Sequence, residues 1–331
     1  MAKKIWIVVQ HREGTLHRMS REAVAAGQAL AKAVGGEAEA VVLGEGIGSL
    51  AEQVAGYDLA AVWTADHANL ADYTPGAYVG ALAQALAQAT PAYLVFPHTY
   101  QSVDYMARLA QQADAGLLPE VTAFEGEGEG IVWTRPILGG KLESKVKVKG
   151  EGTMLVSVQS GAFSADSAAA GQAPVRSMTD ELGVDLAAAL PDREILGVEE
   201  ATGEQLDLTK SEIIVAAGRG VGGADKMGPI EELAAALGAD IAASRPVIDN
   251  GWLPRDRQIG SSGQTVAPKL YLAAGISGAI QHTVGMKGSN VIVAINKDPG
   301  APIFNIADYG IVGDLHEILP AITEAVRAAK G

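Results

Sequence analysis

The chain has 331 residues, of which 48% are hydrophobic and only 5% aromatic, and its formal net charge is −14. That length suits two ordinary domains or one large one, and the acidic balance argues against a nucleic-acid partner, whose phosphates need a basic face. Cysteine is absent, which excludes disulfides, thiolate metal ligands, iron–sulfur ligation and a cysteine nucleophile.

Forty glycines fall mostly at the ends of periodic segments, where caps and tight turns need φ > 0. They belong to a folded chain. The opening MAKKIWIVVQHREG carries too short an apolar run for a signal peptide, and no window approaches a membrane span. We expect no membrane insertion and a cytoplasmic location.

In chain order, KKIWIVVQ (3–10) reads as a first strand and residues 18–34 as a helix. EAEAVVLG and DLAAVWTAD are further strands, GAYVGALAQALAQAT a helix, PAYLVFPH a fourth strand and SVDYMARLAQQAD another helix. Strands alternating with helices predict a parallel sheet with right-handed crossovers. From 119 to 160 the pattern becomes consecutive strands (PEVTAFEG, GIVWTRPIL, SKVKVKG, TMLVSVQSG), which predicts an antiparallel β appendage. Residues 161–209 are rich in Ala, Pro, Asp and Glu with weak periodicity and read as a linker region. Alternation then restarts with EIIVAAG, PIEELAAALG, DIAASRPVI, KLYLAAG, SGAIQHTVG, NVIVAIN, YGIVGD and a last helix LHEILPAITEAVRAAK. The fold class is α/β: two Rossmann-like, doubly wound, mostly parallel domains, over 1–189 and 210–331, joined by a polar hinge over 190–209.

Residues 218–223, GRGVGG, match G-x-G-x-x-G directly after a strand, which is the dinucleotide fingerprint. The context is poor. The next helix is expected to start at Pro229, well past the last Gly, and Ser244-Arg245 stand where a ribose-binding acid belongs. A plain Gly-rich turn explains the motif equally well. The stretch LYLAAGISGAIQHTVGMKGSNVIVAIN (270–296) says more. A helix starting at Ser277 or Gly278 would direct the N–H groups of Ser277, Gly278 and Ala279 outward, at the positive dipole end that suits a phosphate. Gln281 and His282 would follow one turn on. Ser244 and Arg245, the loop Ile259 to Gly263, and Asn296 with Lys297 converge on the same carboxyl edge if the sheet is doubly wound.

Together these segments resemble the α subunit of electron transfer flavoproteins. LYLAAGISGAIQHTVGMKGSNVIVAIN is similar to that subunit's signature from end to end, KDPGAPIFNIADYGIVGDLHEILP continues it, and AAGRG, ASRPVID and VAPKLY match upstream. In the first domain WTRPILGG and VQSGAF are the clearest echoes. The resemblance implies an αβ heterodimer in which this chain's C-terminal domain binds one FAD. It also implies a carrier that takes electrons from acyl-CoA or other flavin dehydrogenases and gives them to a quinone oxidoreductase or another acceptor. By position, Arg219 and Ser244 would bind FAD and Arg245 would lie against the isoalloxazine. Ile259, Gly260, Ser261 and Ser262 would line the flavin. Ser277, Gly278, Ala279, Ile280, Gln281 and His282 would hold the pyrophosphate and ribityl chain, with His282 reaching the flavin O2 edge, and Asn296, Asp314 and Leu315 would meet the adenosine half. Where the family commonly has Gln-Thr in the flavin loop, this chain has Ser261-Ser262. Ser262 keeps the hydroxyl.

A guanidinium and an imidazole near the flavin would stabilise negative charge on the reduced ring. No acid–base pair for a small organic substrate stands out, which points to a carrier rather than a substrate-converting enzyme. An α subunit of an electron-bifurcating complex shares the same pattern. Outside the family, an NAD(P)-dependent oxidoreductase using Gly218–Gly223, or a nucleotide-binding module with an active first domain, are the competing readings.

Overall fold

A computed structural model describes residues 3–12, 14–138, 142–150, 152–197, 206–260 and 262–330. The chain divides into two compact units, Met1–Pro136 with Glu143–Glu199, and Glu200–Gly331 with Ile137–Leu142.

The first unit is built on β1 (Lys3–Val8), α1 (Arg18–Val34), β2 (Gly36–Gly44), α2 (Gly48–Ala55), β3 (Ala61–Asp66), α3 (Pro75–Ala89), β4 (Tyr93–Pro97), α4 (Tyr100–Gln112) and β5 (Gly116–Val121). Three strands follow, β6 (Ala123–Glu125), β7 (Val132–Ile137) and β8 (Leu142–Lys147), then β9 (Met154–Val158), β10 (Val175–Ser177) and α5 (Met178–Leu182). The main sheet has seven strands in the order β10-β3-β2-β1-β4-β9-β5, and its pairs are parallel. Side chains alternate across it. Ile5 and Ile7 face one core with Val24, Leu30, Leu50 and Val54 of α1 and α2. Trp6 and Val8 face the other, with Leu82, Leu86, Met106 and Leu109 of α3 and α4. Both faces are covered, as a parallel sheet requires.

Two expectations need correction here. The strand run from 119 to 160 is not one antiparallel appendage. Only β6, β7 and β8 form the small separate sheet, with β6 and β7 antiparallel, whereas β9 inserts between β4 and β5 in parallel. Local alternation reports that a segment is a strand, not which strand it joins. The linker also begins later than position 161. Val175–Ser177 pairs with β3, and Met178, Val184, Leu186 and Ala189 are buried in the core.

In this unit chain order reverses between β1 and β4, the place where doubly wound sheets open a ligand crevice. There Gln10, Thr99 and Ser20 bond one another. Thr99 donates from its hydroxyl to Gln10 Oε1 at 2.6 Å and caps α4 through Ser102 N. Ser20 takes the Gln10 N–H at 2.8 Å and donates to the Gln10 carbonyl at 2.9 Å.

The second unit contains β11 (Ile213–Ala217), α6 (Gly228–Leu237), β12 (Asp240–Ala243), α7 (Arg245–Asp249), β13 (Leu270–Ala274), α8 (Ile280–Thr283), β14 (Ile292–Asn296), β15 (Tyr309–Val312) and α9 (Leu315–Lys330). Its five strands run in the order β12-β11-β13-β14-β15, with every pair parallel. Val215, Ala217, Leu272 and Ala274 pack under α6 and α9 through Ile230, Leu233 and Leu319. On the opposite face Ile214, Ala216, Tyr271 and Ala273 meet Ile259, Val266, Ile276, Met286 and Ile303, which come largely from connecting segments. One face is helical; the other is made of loops.

Candidate functional site

The carboxyl ends of β11, β12, β13 and β15 are followed by Arg219, Ser244-Arg245, Ile276–His282 and Asp314 respectively, and β14 ends on Asn296. Five segments singled out from the sequence therefore reach one sheet edge. Ile259 joins them: its N–H bonds the Ala243 carbonyl at 2.9 Å, continuing the end of β12.

The glycine motif has a different use from its fingerprint reading. Gly218 N–H bonds Ala274 O at 2.8 Å and Gly220 N–H bonds Gly275 O at 3.0 Å, so the loops after β11 and β13 lie backbone on backbone. A Cβ on Gly220 would stand 2.8 Å from Gly275 Cα, and one on Gly218 would collide with the Gly275 carbonyl. Gly275 itself has φ +67°, which a side chain disfavours. These glycines close the gap at the switch point between β11 and β13, where a fingerprint would hold a pyrophosphate.

The helix after β13 is shorter and later than expected. It covers Ile280–Thr283, is preceded by Ala279 and has no side-chain cap. Gly278 (φ +85°) is the reason: a Cβ there would collide with Ile303 N, and Ile303 N–H bonds the Ser277 carbonyl at 3.1 Å. Ser277 and Gly278 are thus loop residues, and no helix dipole starts at them.

His282 is turned into the core, 6% exposed. Its Nδ1 lies 3.2 Å from the Ile259 carbonyl and its Nε2 2.9 Å from the Tyr271 hydroxyl. A carbonyl only accepts, so Nδ1 carries the proton and Nε2 accepts from Tyr271. Burial lowers the imidazole pKa to about 4, opposed by the bond to Ile259, and the ring is neutral. The cations at this edge are arginines and Lys297. Tyr271 lies outside the residues that the sequence pattern singles out. A lone Tyr in an otherwise aliphatic buried strand needs a partner for its O–H, and that was the available signal.

Ser244 is 6% exposed and holds its N–H on Ala217 O at 3.0 Å. Arg245 beside it is exposed and makes a 3.3 Å ion pair with Asp249, one turn along α7. In the flavin-loop candidate, Gly260 has φ +138°, and a Cβ there would lie 2.5 Å from the Gln281 carbonyl. Ser262 accepts from Gln258 Nε2 at 2.9 Å. Ser261 lies outside the described residues. Asn296 donates from Nδ2 to Ile276 O at 2.9 Å, tying the ends of β13 and β14. Asp314 caps α9 through His316 N at 2.9 Å and pairs with Lys297 at 2.9 Å; the Lys297 bond, then the cap, hold its carboxyl below the usual range. Leu315 is a core residue, 3% exposed, that a Cβ on Gly275 would strike at 2.8 Å.

Residues 207–287 match the family model described as "Electron transfer flavoprotein FAD-binding domain", and residues 5–182 match "Electron transfer flavoprotein domain". The "Electron transfer flavoprotein subunit alpha" of Thermoanaerobacterium thermosaccharolyticum is 34% identical over 334 aligned positions, covering 99% of both chains. The chain belongs to the electron transfer flavoprotein α subunits. The corresponding subunits of Bacillus subtilis (36% identical, 98% of this chain and 97% of that one) and Mycobacterium tuberculosis (37%, 99% of both) are similar to the same extent.

As an electron transfer flavoprotein α subunit, the chain carries an FAD-binding domain in its second unit, and the edge residues fit that cofactor. Among the described residues, Arg219, Ser277 and Gln281 are exposed and no side-chain bond occupies them. Ile280, 44% exposed, sets an apolar side chain among them. Uncommitted donors, cationic side chains and one exposed aliphatic group suit a ligand with an anionic pyrophosphate and a flat, partly apolar ring. No helix of the described residues is long and apolar enough to cross a membrane.

Proposed function

We propose that this chain pairs with an electron transfer flavoprotein β subunit, holds FAD on the edge of its second sheet, and relays electrons. Donors are acyl-CoA or other flavin dehydrogenases, and the acceptor is a quinone oxidoreductase or another oxidant. The single observation that carries this reading is the convergence of Arg219, Ser244-Arg245, the Ile259 loop, Ser277–His282 and Asn296 at that edge. A hinge over 190–209 and a cytoplasmic location, both expected from sequence, belong to the same reading.

FAD supplies the redox chemistry when bound, and the protein tunes it by placing charge and hydrogen bonds. Arg219, Ser277 and Gln281 supply donors for phosphate and ribityl oxygens. Arg245 keeps a permanent positive charge at the edge, whereas His282, neutral and fixed by Tyr271 and Ile259, orders the loop carrying Gly260 and Ser262. Asn296 and the Lys297–Asp314 pair shape the side under β14 and β15.

The test is to purify the chain together with its β subunit, record the visible spectrum and count FAD. One FAD per heterodimer, lost on substituting Ser277 and Arg219 together by Ala, is the expected result. A second flavin that depends on β indicates the bifurcating type. Protein that stays colourless after incubation with FAD and β overturns the proposal and returns nicotinamide binding at Gly218–Gly223 to consideration.

A further inference from the structure

Helix α3 has an unusual start. Thr74 occupies its N-cap position with the extended backbone that a capping Thr adopts (φ −132°, ψ 137°), yet its side chain makes no cap bond. Thr74 is 2% exposed, and its hydroxyl is buried without a partner. Such a hydroxyl ordinarily accepts from the second or third N–H of the helix. Here the second one, Gly76 N–H, goes instead to Asp192 Oδ1 at 3.0 Å, a residue 116 positions later.

Asp192 also takes Arg108 NH1 on Oδ2 at 2.7 Å. Ala189 is the last buried residue before it, and 190–197 are exposed throughout. Among the described residues, the side-chain hydrogen bonds holding 191–197 to the first unit both end on the Asp192 carboxylate. Beside this strap is an open cleft of about 660 Å³, lined on one side by Asn69, Asp72 and Thr74 and on the other by Pro191 to Ile195. The strap touches the start of α3 at Asp192 and borders an open cleft beside it. Gly76 permits its approach, because a Cβ there would stand 2.6 Å from Asp192 Cβ.

We propose that Thr74 and Asp192 are alternative N-caps for α3, so that residues 190–197 form a releasable strap. When Asp192 leaves, a χ1 rotation brings the Thr74 hydroxyl onto the vacated N–H, and no helix donor is stranded. Release and capping are one exchange, which lowers the cost of freeing the strap. In sequence the strap is followed by the FAD-binding unit. Moving its anchor from Asp192 back to Ala189 adds three residues, about 10 Å of reach when extended, to the tether of that unit.

The test is a double-mutant cycle on the full chain with its FAD, combining Asp192→Ala and Thr74→Val, read by thermal unfolding of the first unit and by tryptic cleavage after Arg193. With exchange, Thr74→Val alone is neutral or slightly stabilising, since it replaces an unpartnered buried hydroxyl. Asp192→Ala alone raises cleavage at least about tenfold with little change in melting, and only the double variant melts clearly lower. Gly76→Ala gives an independent check. It excludes Asp192 while favouring the helix, so it raises cleavage without lowering the melting temperature. If Asp192→Ala lowers melting equally with and without Thr74→Val, or Gly76→Ala leaves cleavage unchanged, the caps do not exchange and the proposal is overturned.

Discussion

Tyr271 and His282, eleven positions apart in sequence, meet in the core of the FAD-binding unit with 2.9 Å between the hydroxyl and Nε2. Tyr271→Phe leaves that nitrogen as a buried acceptor with no donor, at a cost of about 1–3 kcal/mol. Chemical denaturation of the second unit, with FAD retention measured beside it, checks the figure.

The same ring makes stability depend on pH. Its pKa falls from 6.5 to about 4 on folding, chiefly by burial. Between these values the unfolded chain binds more protons, so the contribution of neutral His282 is complete above pH 6.5 and is lost as pH falls toward 4. The full span corresponds to about 3 kcal/mol. His282→Asn flattens that slope between pH 6.5 and 4.5 in denaturation curves; a slope identical to that of the unsubstituted chain rules this assignment out.

Gly220→Ala forces a methyl against the loop after β13, at a site where both neighbours are backbone and cannot swing aside. We expect at least about 2–3 kcal/mol of destabilisation and loss of flavin, with the first unit's circular dichroism and melting step unaffected.

Arg245→Ala removes an exposed cation whose described partner is Asp249, so folding stability stays within about 0.5 kcal/mol. The flavin potential moves to more negative values, because reduction places negative charge where a positive neighbour has gone. A shift of tens of millivolts, about 1.4 kcal/mol per 30 mV for two electrons, is the expected size in a spectroelectrochemical titration. An unchanged potential places Arg245 away from the ring.

In the first unit, Glu39 takes both Trp6 Nε1 (2.6 Å) and Trp63 Nε1 (2.7 Å) on one buried carboxylate oxygen. Glu39→Leu strands two indole donors and costs about 2–4 kcal/mol, whereas Glu39→Gln, which keeps an acceptor, costs less. Tryptophan fluorescence during urea unfolding separates the two.

Much of this was legible where the cause is local. The helix read over 18–34 is observed as Arg18–Val34, because its apolar face and the Gly35 stop lie in the segment itself. The polar tips of β12, β13 and β14 were legible because a doubly wound order sends every carboxyl end to one edge. Partnering across long separations was not. Nothing around 154–158 announces that Met154–Val158 lies between β4 and β5. Val175–Ser177 is short and largely exposed, and its role rests on β3, more than a hundred residues earlier. Gly278 ended the expected helix because of Ile303, and Asp192 displaced the Thr74 cap from another part of the chain. The orientation of His282 depends on Tyr271 and Ile259, which no spacing rule connects.

The free donors at the edge of the second sheet have a thermodynamic consequence. In the first unit the backbone and side-chain oxygen of Gln10 are committed to Thr99 and Ser20. The second unit keeps free donors at its edge and gains RT ln(1 + [L]/Kd) from FAD. The stability of the FAD-binding unit therefore rises with flavin concentration, a dependence that belongs to that half of the chain.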